Sequence, residues 1–304
     1  MSRAVKYYEF GPASVLRVEQ VVPSLPKPGK VRIAVKTAGI NPADYKTREG
    51  MMSGPSFTFP AGIGRELAGV VESLGEDVTT LRVGDEVFGN VASGAVSELM
   101  VTNPANLARK PAGLDWVTAG GLSLAGQTAH DAVASQHLTP DDVVLVSAAA
   151  GGVGVLVAQL ARLAGATVIG TASPGQHEFL EGLGILPVAY GDALAERVRS
   201  AAPGQVTVAF DQHGRETIEA AIELGVDRSR INTIAADAAE FGVQHVGRGP
   251  TNTTTLEKLA AMVVDGSLVV PIDSTYPLDR VRDAFEKLET GHAHGKIVIV
   301  VAEP

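Results

Sequence analysis

The sequence predicts an α/β protein in which a doubly wound parallel sheet is joined to a smaller β-rich unit. Three observations predict it. A short apolar run, Val143–Val146, passes through small residues into a segment of helical apolar spacing and then into a second apolar run. Beyond that point short strand-like runs alternate with helical stretches, the pattern of a parallel sheet. Ahead of it, residues 1–122 are rich in period-two alternation broken by Gly and Pro turn signals.

The central stretch reads as strand, turn, helix, strand. Val143–Val146 is a buried strand and Ser147–Gly154 a turn of small residues. Val153, Leu156, Leu160 and Leu163 then form one apolar helical stripe, Gly165 ends the helix, and Ala166–Gly170 begins the next strand. Such a βαβ unit binds dinucleotides. A pyrophosphate needs free N–H groups at a helix N-terminus and a turn from which nothing projects. Gly151, Gly152 and Gly154, with Ala150 and Val153 between and beside them, meet that need. Alanine (Ala148) stands where the usual fingerprint opens on glycine. The alternative is a packing turn in an ordinary α/β protein.

Composition narrows the class. At 304 residues there is room for two cores, and 34 glycines with a 45% hydrophobic fraction suit a turn-rich α/β enzyme. No apolar run is long enough to span a bilayer. The N-terminal MSRAVKYYEFG lacks a signal-peptide core, so a cytoplasmic location is expected. A net charge of −9 disfavours nucleic acid and anionic membrane as partners. With no cysteine, disulfides, thiol catalysis and thiolate zinc sites are excluded. His292 and His294 lack a third ligand nearby and read as solvated, so no metal is expected.

The segment AAAGGVG–AQLA–GATVIGTAS (148–173), with AGINPADYKTREG (38–50), GRELAGVVESLGEDVTTLRVGDEVFG (64–89) and GHAHGKIVIV (291–300), resembles one known family. It is the zinc-independent, quinone oxidoreductase-like branch of the medium-chain dehydrogenase/reductase superfamily. The resemblance implies a Rossmann doubly wound sheet plus a β-rich, GroES-like barrel domain. The expected domains are 1–122 with 267–304 for substrate, and 123–266 for the dinucleotide. Zinc-dependent relatives carry His-Glu where this chain has Arg65-Glu66.

In chain order, Val31–Lys36 is a half-buried strand and Asn41-Pro42 starts a turn, leaving Asp44, Tyr45 and Lys46 on a short helix or loop. The resemblance puts this segment on a cleft, with Asn41 near the nicotinamide end of the cofactor. Tyr45 can donate a proton and Lys46 can polarise a carbonyl; Tyr45 is equally readable as a packing aromatic. Met51–Pro60 reads as a mobile, apolar loop. Glu66 and Asp85 read as structural, and residues 94–101 resemble the strand that closes the barrel.

From Trp116 to Leu138 the pattern is helical, and the resemblance gives Thr128 a contact on the nicotinamide side. Further strands are expected at Val188–Tyr190, Val206–Asp211 and Ile231–Ala235. Ligands of such sheets lie at the strands' C-terminal ends, which brings in Asp211, Gly214, Ile234 and Ala235. Strand-end turns would account for the same residues. Residues 242–246 read as an edge strand, and relatives pairing such an edge make a homodimer plausible. A helix at Leu278–Leu288 and a strand at Lys296–Val301 end the pattern, returning to the first domain in the family.

The second strand of the dinucleotide unit ends in Thr171-Ala172-Ser173, without the acid that binds an NAD ribose, and this favours NADP(H). The family completes its 2′-phosphate pocket with a lysine and a tyrosine. Tyr190 matches the tyrosine; Gln176-His177 stand where the lysine is missing, and His177 carries charge only when protonated. The expected reaction is NADPH-dependent reduction of a quinone or α,β-unsaturated carbonyl. Without a Lewis-acidic metal, the acceptor itself must delocalise the arriving charge. Two alternatives stay open: a tailoring reductase acting on a biosynthetic intermediate, and a non-catalytic NADPH-binding regulator.

Overall fold

Alternating side chains in the first third of the chain build short strands, and one of them organises the rest. The computed structural model describes residues 1–247 and 249–302. It divides into two compact units, residues 1–124 with the segment from Thr251 onward, and residues 125–250.

The first unit begins with β1 (Ser2–Tyr7), β2 (Arg17–Val21), β3 (Val31–Ile40), α1 (Pro42–Arg48), β4 (Ala61–Gly62), β5 (Glu66–Leu74), β6 (Glu86–Asn90), β7 (Leu99–Thr102) and β8 (Leu107–Arg109). The ten-residue β3 is the hub. One edge pairs antiparallel with β5, while the other is shared between β7 at Val31–Ala34 and a late strand at Thr37–Ile40. Val31, Ile33 and Val35 on β3 pack with Leu67 and Val71 of β5 in one core, as the period-two pattern requires. β1 joins β2 and β4 in a separate three-stranded sheet. Only the last part of the expected strand at 94–101 is in β7, because Ala95 and Val96 donate their N–H groups to Gly64 and Ile63 instead. The loop at 51–60 has an aromatic anchor: Phe57 and Phe59 lie 5.2 Å apart, centroid to centroid, and both pack on Phe10.

Helix α2 (Trp116–Ala134), apolar nearly all round, carries the chain into the second unit. There β9 (Val143–Val146), α3 (Gly154–Leu163), β10 (Thr167–Ala172), α4 (His177–Gly182), β11 (Leu186–Ala189), α5 (Leu194–Ala201), β12 (Val208–Asp211), α6 (Arg215–Glu223), β13 (Ile231–Thr233), α7 (Ala238–Phe241) and β14 (Gln244–His245) follow. The strands form a six-stranded parallel sheet in the order β11-β10-β9-β12-β13-β14 among the described residues. The order reverses at β9, so the glycine turn lies at the topological switch point. Strand boundaries differ slightly from expectation. β11 ends before Tyr190, and β13 stops at Thr233, whose hydroxyl accepts the N–H groups of Ala235 and Ala236 and turns the chain.

The chain then returns to the first unit with α8 (Thr253–Val264), β15 (Ile272–Pro277), α9 (Val281–Glu289) and β16 (Lys296–Val300). β16 is the late strand on β3, so residues from the two ends of the sequence share one sheet. The fold is therefore α/β: a parallel, doubly wound sheet and a separate mixed sheet.

Candidate active site

The turn after β9 is shaped by backbone contacts that leave no room for a side chain at its last position, Gly154. Ala149 N–H donates to the Thr171 carbonyl at 2.9 Å, and Gly151 N–H to Ala148 at 2.8 Å. Ala148 itself is held left-handed at φ +46°, a conformation that glycine adopts more easily. A Cβ on Gly154 would lie 2.2 Å from the Ala148 carbonyl oxygen, and one on Gly170 would lie 2.6 Å from Cβ of Ala149. Those two positions must be glycine. The N–H groups of Gly152, Val153 and Gly154 have no acceptor among the described residues, and Val153, the N-cap of α3, supplies no capping side chain. Three free donors over a bare turn, at the positive end of a ten-residue helix, suit a diphosphate. The residues present fit a dinucleotide.

Three strand ends beside this turn are tied by one carboxylate. Asp211, at the end of β12, is fully buried. Its Oδ1 accepts from the Ser147 hydroxyl at 3.0 Å and from the N–H groups of His213 and Gly214, and its Oδ2 accepts from Thr233 at 2.6 Å. Asp211 thus turns inward and fixes the ends of β9, β12 and β13, while Ile234 and Ala235 follow Thr233 half-buried. Ser147 and Thr233 were not singled out from sequence. For Ser147 the available signal is a hydroxyl directly after the apolar strand VVLV; Thr233 ends the mixed strand Ile231–Thr233 and carries no such signal.

On the other side, Ala172 of β10 pairs in register with Ala189 of β11, so Ser173 and Tyr190 leave adjacent strand ends together. Tyr190 is 53% exposed. His177 opens α4 with its Nε2 buried and unpartnered. Thr128 is buried on α2.

The first unit carries a different cluster. Asn41, the N-cap of α1, is buried, and its N–H donates to Asp44 at 2.9 Å. Its amide Nδ2 donates to Glu66, and its Oδ1 accepts from Lys296. Glu66 and Lys296 are an ion pair at 2.7 Å. Burial raises the Asp44 carboxyl to about 7, against the opposing pull of Arg65 3.5 Å away. Tyr45, one residue on, packs on the core, and burial with Glu49 and Glu289 lifts its hydroxyl above the usual phenol value. It is therefore protonated throughout the neutral range. Lys46 is half-buried on the same helix. Lys296 is the residue that the sequence pattern missed: its signal was one cation opening an otherwise apolar strand, KIVIV. His292 and His294 are exposed, and no group of three potential metal-ligating side chains occurs among the described residues.

Comparison with known proteins fits both halves. Residues 27–153 match the Alcohol dehydrogenase GroES-like domain family and 183–299 the Zinc-binding dehydrogenase family. The chain is 32% identical to the chloroplastic NADPH-dependent alkenal/one oxidoreductase of Arabidopsis thaliana, over 98% of this chain and 79% of that protein. It belongs to the quinone oxidoreductase-like branch of the medium-chain dehydrogenase/reductase family. Solved structures of this branch superpose closely. The quinone oxidoreductase from Coxiella burnetii gives a TM-score of 0.88 at 30% identity, covering 99% of each chain. The Escherichia coli quinone oxidoreductase, solved in complex with NADPH, gives 0.89 at 25% identity over 98% of this chain and 100% of that one. The parallel sheet and the mixed sheet are thus the family's Rossmann and GroES-like parts.

Proposed function

We propose that this protein is an NADPH-dependent, zinc-free oxidoreductase that reduces a quinone or an α,β-unsaturated carbonyl. The observation that carries the reading is the bare turn before α3 with three unpartnered N–H groups, in a chain 32% identical to an NADPH-dependent alkenal/one oxidoreductase. Bound there, the nicotinamide cofactor supplies a hydride from C4.

The chain's own residues bind and orient. Gly152, Val153 and Gly154 hold the diphosphate, with Ala150 and Gly151 keeping the approach clear. Ser173, Tyr190 and His177 receive the 2′-phosphate, Ser173 by donating its hydroxyl. Asn41, Thr128, Ile234 and Ala235 serve the ribose and nicotinamide end, and Asp211 acts by fixing the strand ends next to Ile234 and Ala235. Tyr45, kept protonated by burial, donates the closing proton to the reduced acceptor. Lys46 polarises the acceptor's carbonyl. Residues 125–250 are the cofactor domain in this reading. Positioning supplies most of the rate enhancement, and the conjugated acceptor spreads the arriving charge.

The test is NADPH oxidation followed by nicotinamide absorbance with a panel of quinones and enones. Turnover with several acceptors, faster with NADPH than with NADH, is expected. Tight NADPH binding without turnover on any acceptor overturns the enzyme reading, and turnover with a single elaborate acceptor replaces it with a tailoring reductase.

No helix among the described residues is long and apolar enough to cross a membrane, and we place the protein in the cytoplasm. A homodimer through β14, whose Gln244 and His245 lie exposed at the sheet edge, completes the proposal. Light scattering at micromolar concentration checks it.

A further inference from the structure

A carboxamide is nearly symmetric in outline, so an asparagine can exchange its oxygen and its NH2 by a half-turn at little steric cost. Asn41 is denied that freedom. Its Oδ1 accepts from the Lys296 ammonium at 2.5 Å, and its Nδ2 donates to Oε1 of Glu66 at 2.8 Å. Reversing the amide would set its protons against the ammonium and its oxygen against the carboxylate. Both contacts would be repulsive, among side chains that are 4% and 0% exposed.

The grip is itself fixed. Oε2 of Glu66 accepts the Leu124 N–H at 2.8 Å, so the carboxylate cannot rotate freely. The Lys296 ammonium is shared among Asn41, Glu66 and the Ile40 carbonyl. A buried ion pair adds little net stability over an apolar pair of the same volume, so its effect here is orientation. The second Nδ2 proton of Asn41 has no partner among the described residues. The ammonium on Oδ1 draws electron density from the amide and makes that proton a stronger donor.

We propose that Lys296 and Glu66 are positioning residues for hydride transfer, locking Asn41 so that its free N–H faces the carbonyl oxygen of the acceptor. This rests on the reading that Asn41 serves the nicotinamide end. As hydride arrives at the conjugated carbon, the electron pair moves onto the carbonyl oxygen. Asn41 hydrogen-bonds that oxygen and keeps its own proton, and the oxygen or carbon is protonated afterwards.

A kinetic cycle tests it in the full-length protein. Asn41→Ala is compared in two backgrounds, the unaltered protein and Glu66→Gln/Lys296→Met, which removes both charges together. The expected result is a fall in kcat of about 10- to 100-fold for Asn41→Ala, a similar fall for the paired change, and no further fall when the two are combined. NADPH affinity, measured by fluorescence quenching, is expected to stay within about twofold of the unaltered protein for the Glu66→Gln/Lys296→Met pair, since the diphosphate turn is untouched. Additive effects would mean that the pair is merely structural, and they overturn the proposal while leaving the role of Asn41 standing. An unchanged kcat in Asn41→Ala with NADPH affinity also unchanged overturns both. A loss of NADPH affinity in Asn41→Ala with kcat unchanged confines Asn41 to cofactor binding and overturns the proposal. If the paired variant does not fold, Glu66→Gln alone, isosteric and able to accept from Leu124, serves as the second background under the same criteria.

Discussion

On the proposed reading, the two units hold a ligand in opposite ways. In the second unit the chemistry is done by main chain: glycines clear a space and a helix end presents its N–H groups. In the first unit it is done by side chains that meet from distant points in the sequence, Asn41, Glu66 and Lys296, with the last two 230 residues apart. Main-chain chemistry is local and tolerates no added atom. Side-chain chemistry is long-range and depends on charge balance. The contrast predicts how each region should fail.

The largest effect is expected from unbalancing the charges. Glu66→Leu leaves a buried ammonium without its partner and should cost about 3–5 kcal/mol of folding stability, read by urea denaturation. A loss below about 1 kcal/mol would place this pair with exposed ones and erase the contrast. Next is Asp44. Its carboxyl titrates at about 7 in the folded chain, above the ordinary 3.8. Between those values the folded state holds a proton that the unfolded chain has lost. The Asp44 contribution is therefore fully present below about pH 4, declines as pH rises, and is gone above about pH 7, with a slope approaching about 1.4 kcal/mol per pH unit. Asp44→Asn removes this decline, so denaturation midpoints of variant and parent should diverge in favour of the variant toward neutral pH.

In the second unit, Gly154→Ala drives a methyl group against a carbonyl and should cost about 1–3 kcal/mol, together with NADPH binding measured by calorimetry. Retained binding would show that the turn can shift. Ser173→Asp sets a carboxylate in the proposed 2′-phosphate pocket and should raise KM for NADPH by about tenfold or more, equivalent to about 1.4 kcal/mol, while KM for NADH changes little. Equal changes would remove Ser173 from the pocket. The smallest effect is a gain: Ala148→Gly relieves a left-handed alanine and should stabilise the protein by about 1 kcal/mol, visible as a small rise in the thermal midpoint.

The same contrast explains what could be read in the sequence. Val143–Val146, the glycine turn and the helix from Gly154 lie side by side in the chain, so pattern alone located them. The reading of Ala148 as a departure from the fingerprint also has its counterpart in the strained φ of that residue. β13 ends short of the expected Ala235 because the Thr233 hydroxyl takes the N–H groups of Ala235 and Ala236, a contact that no local pattern shows. Asp211 was readable as a strand-end acid; that both its oxygens point inward to Ser147 and Thr233 was not. Lys296 stood in a stretch recognised only as family-like. Its partner Glu66 reads in isolation as a structural acid, and nothing local joins the two.

The distance between those partners also bears on synthesis. Residues 125–250 are contiguous and can collapse while the chain is still being made. The sheet around β3 cannot, because its β16 neighbour and the cation for Glu66 are translated some 230 positions after that acid. Until then a carboxylate destined for a dry interior lacks the Lys296 cation that balances its charge, so the nascent first unit should remain open and protease-sensitive long after residues 125–250 have closed.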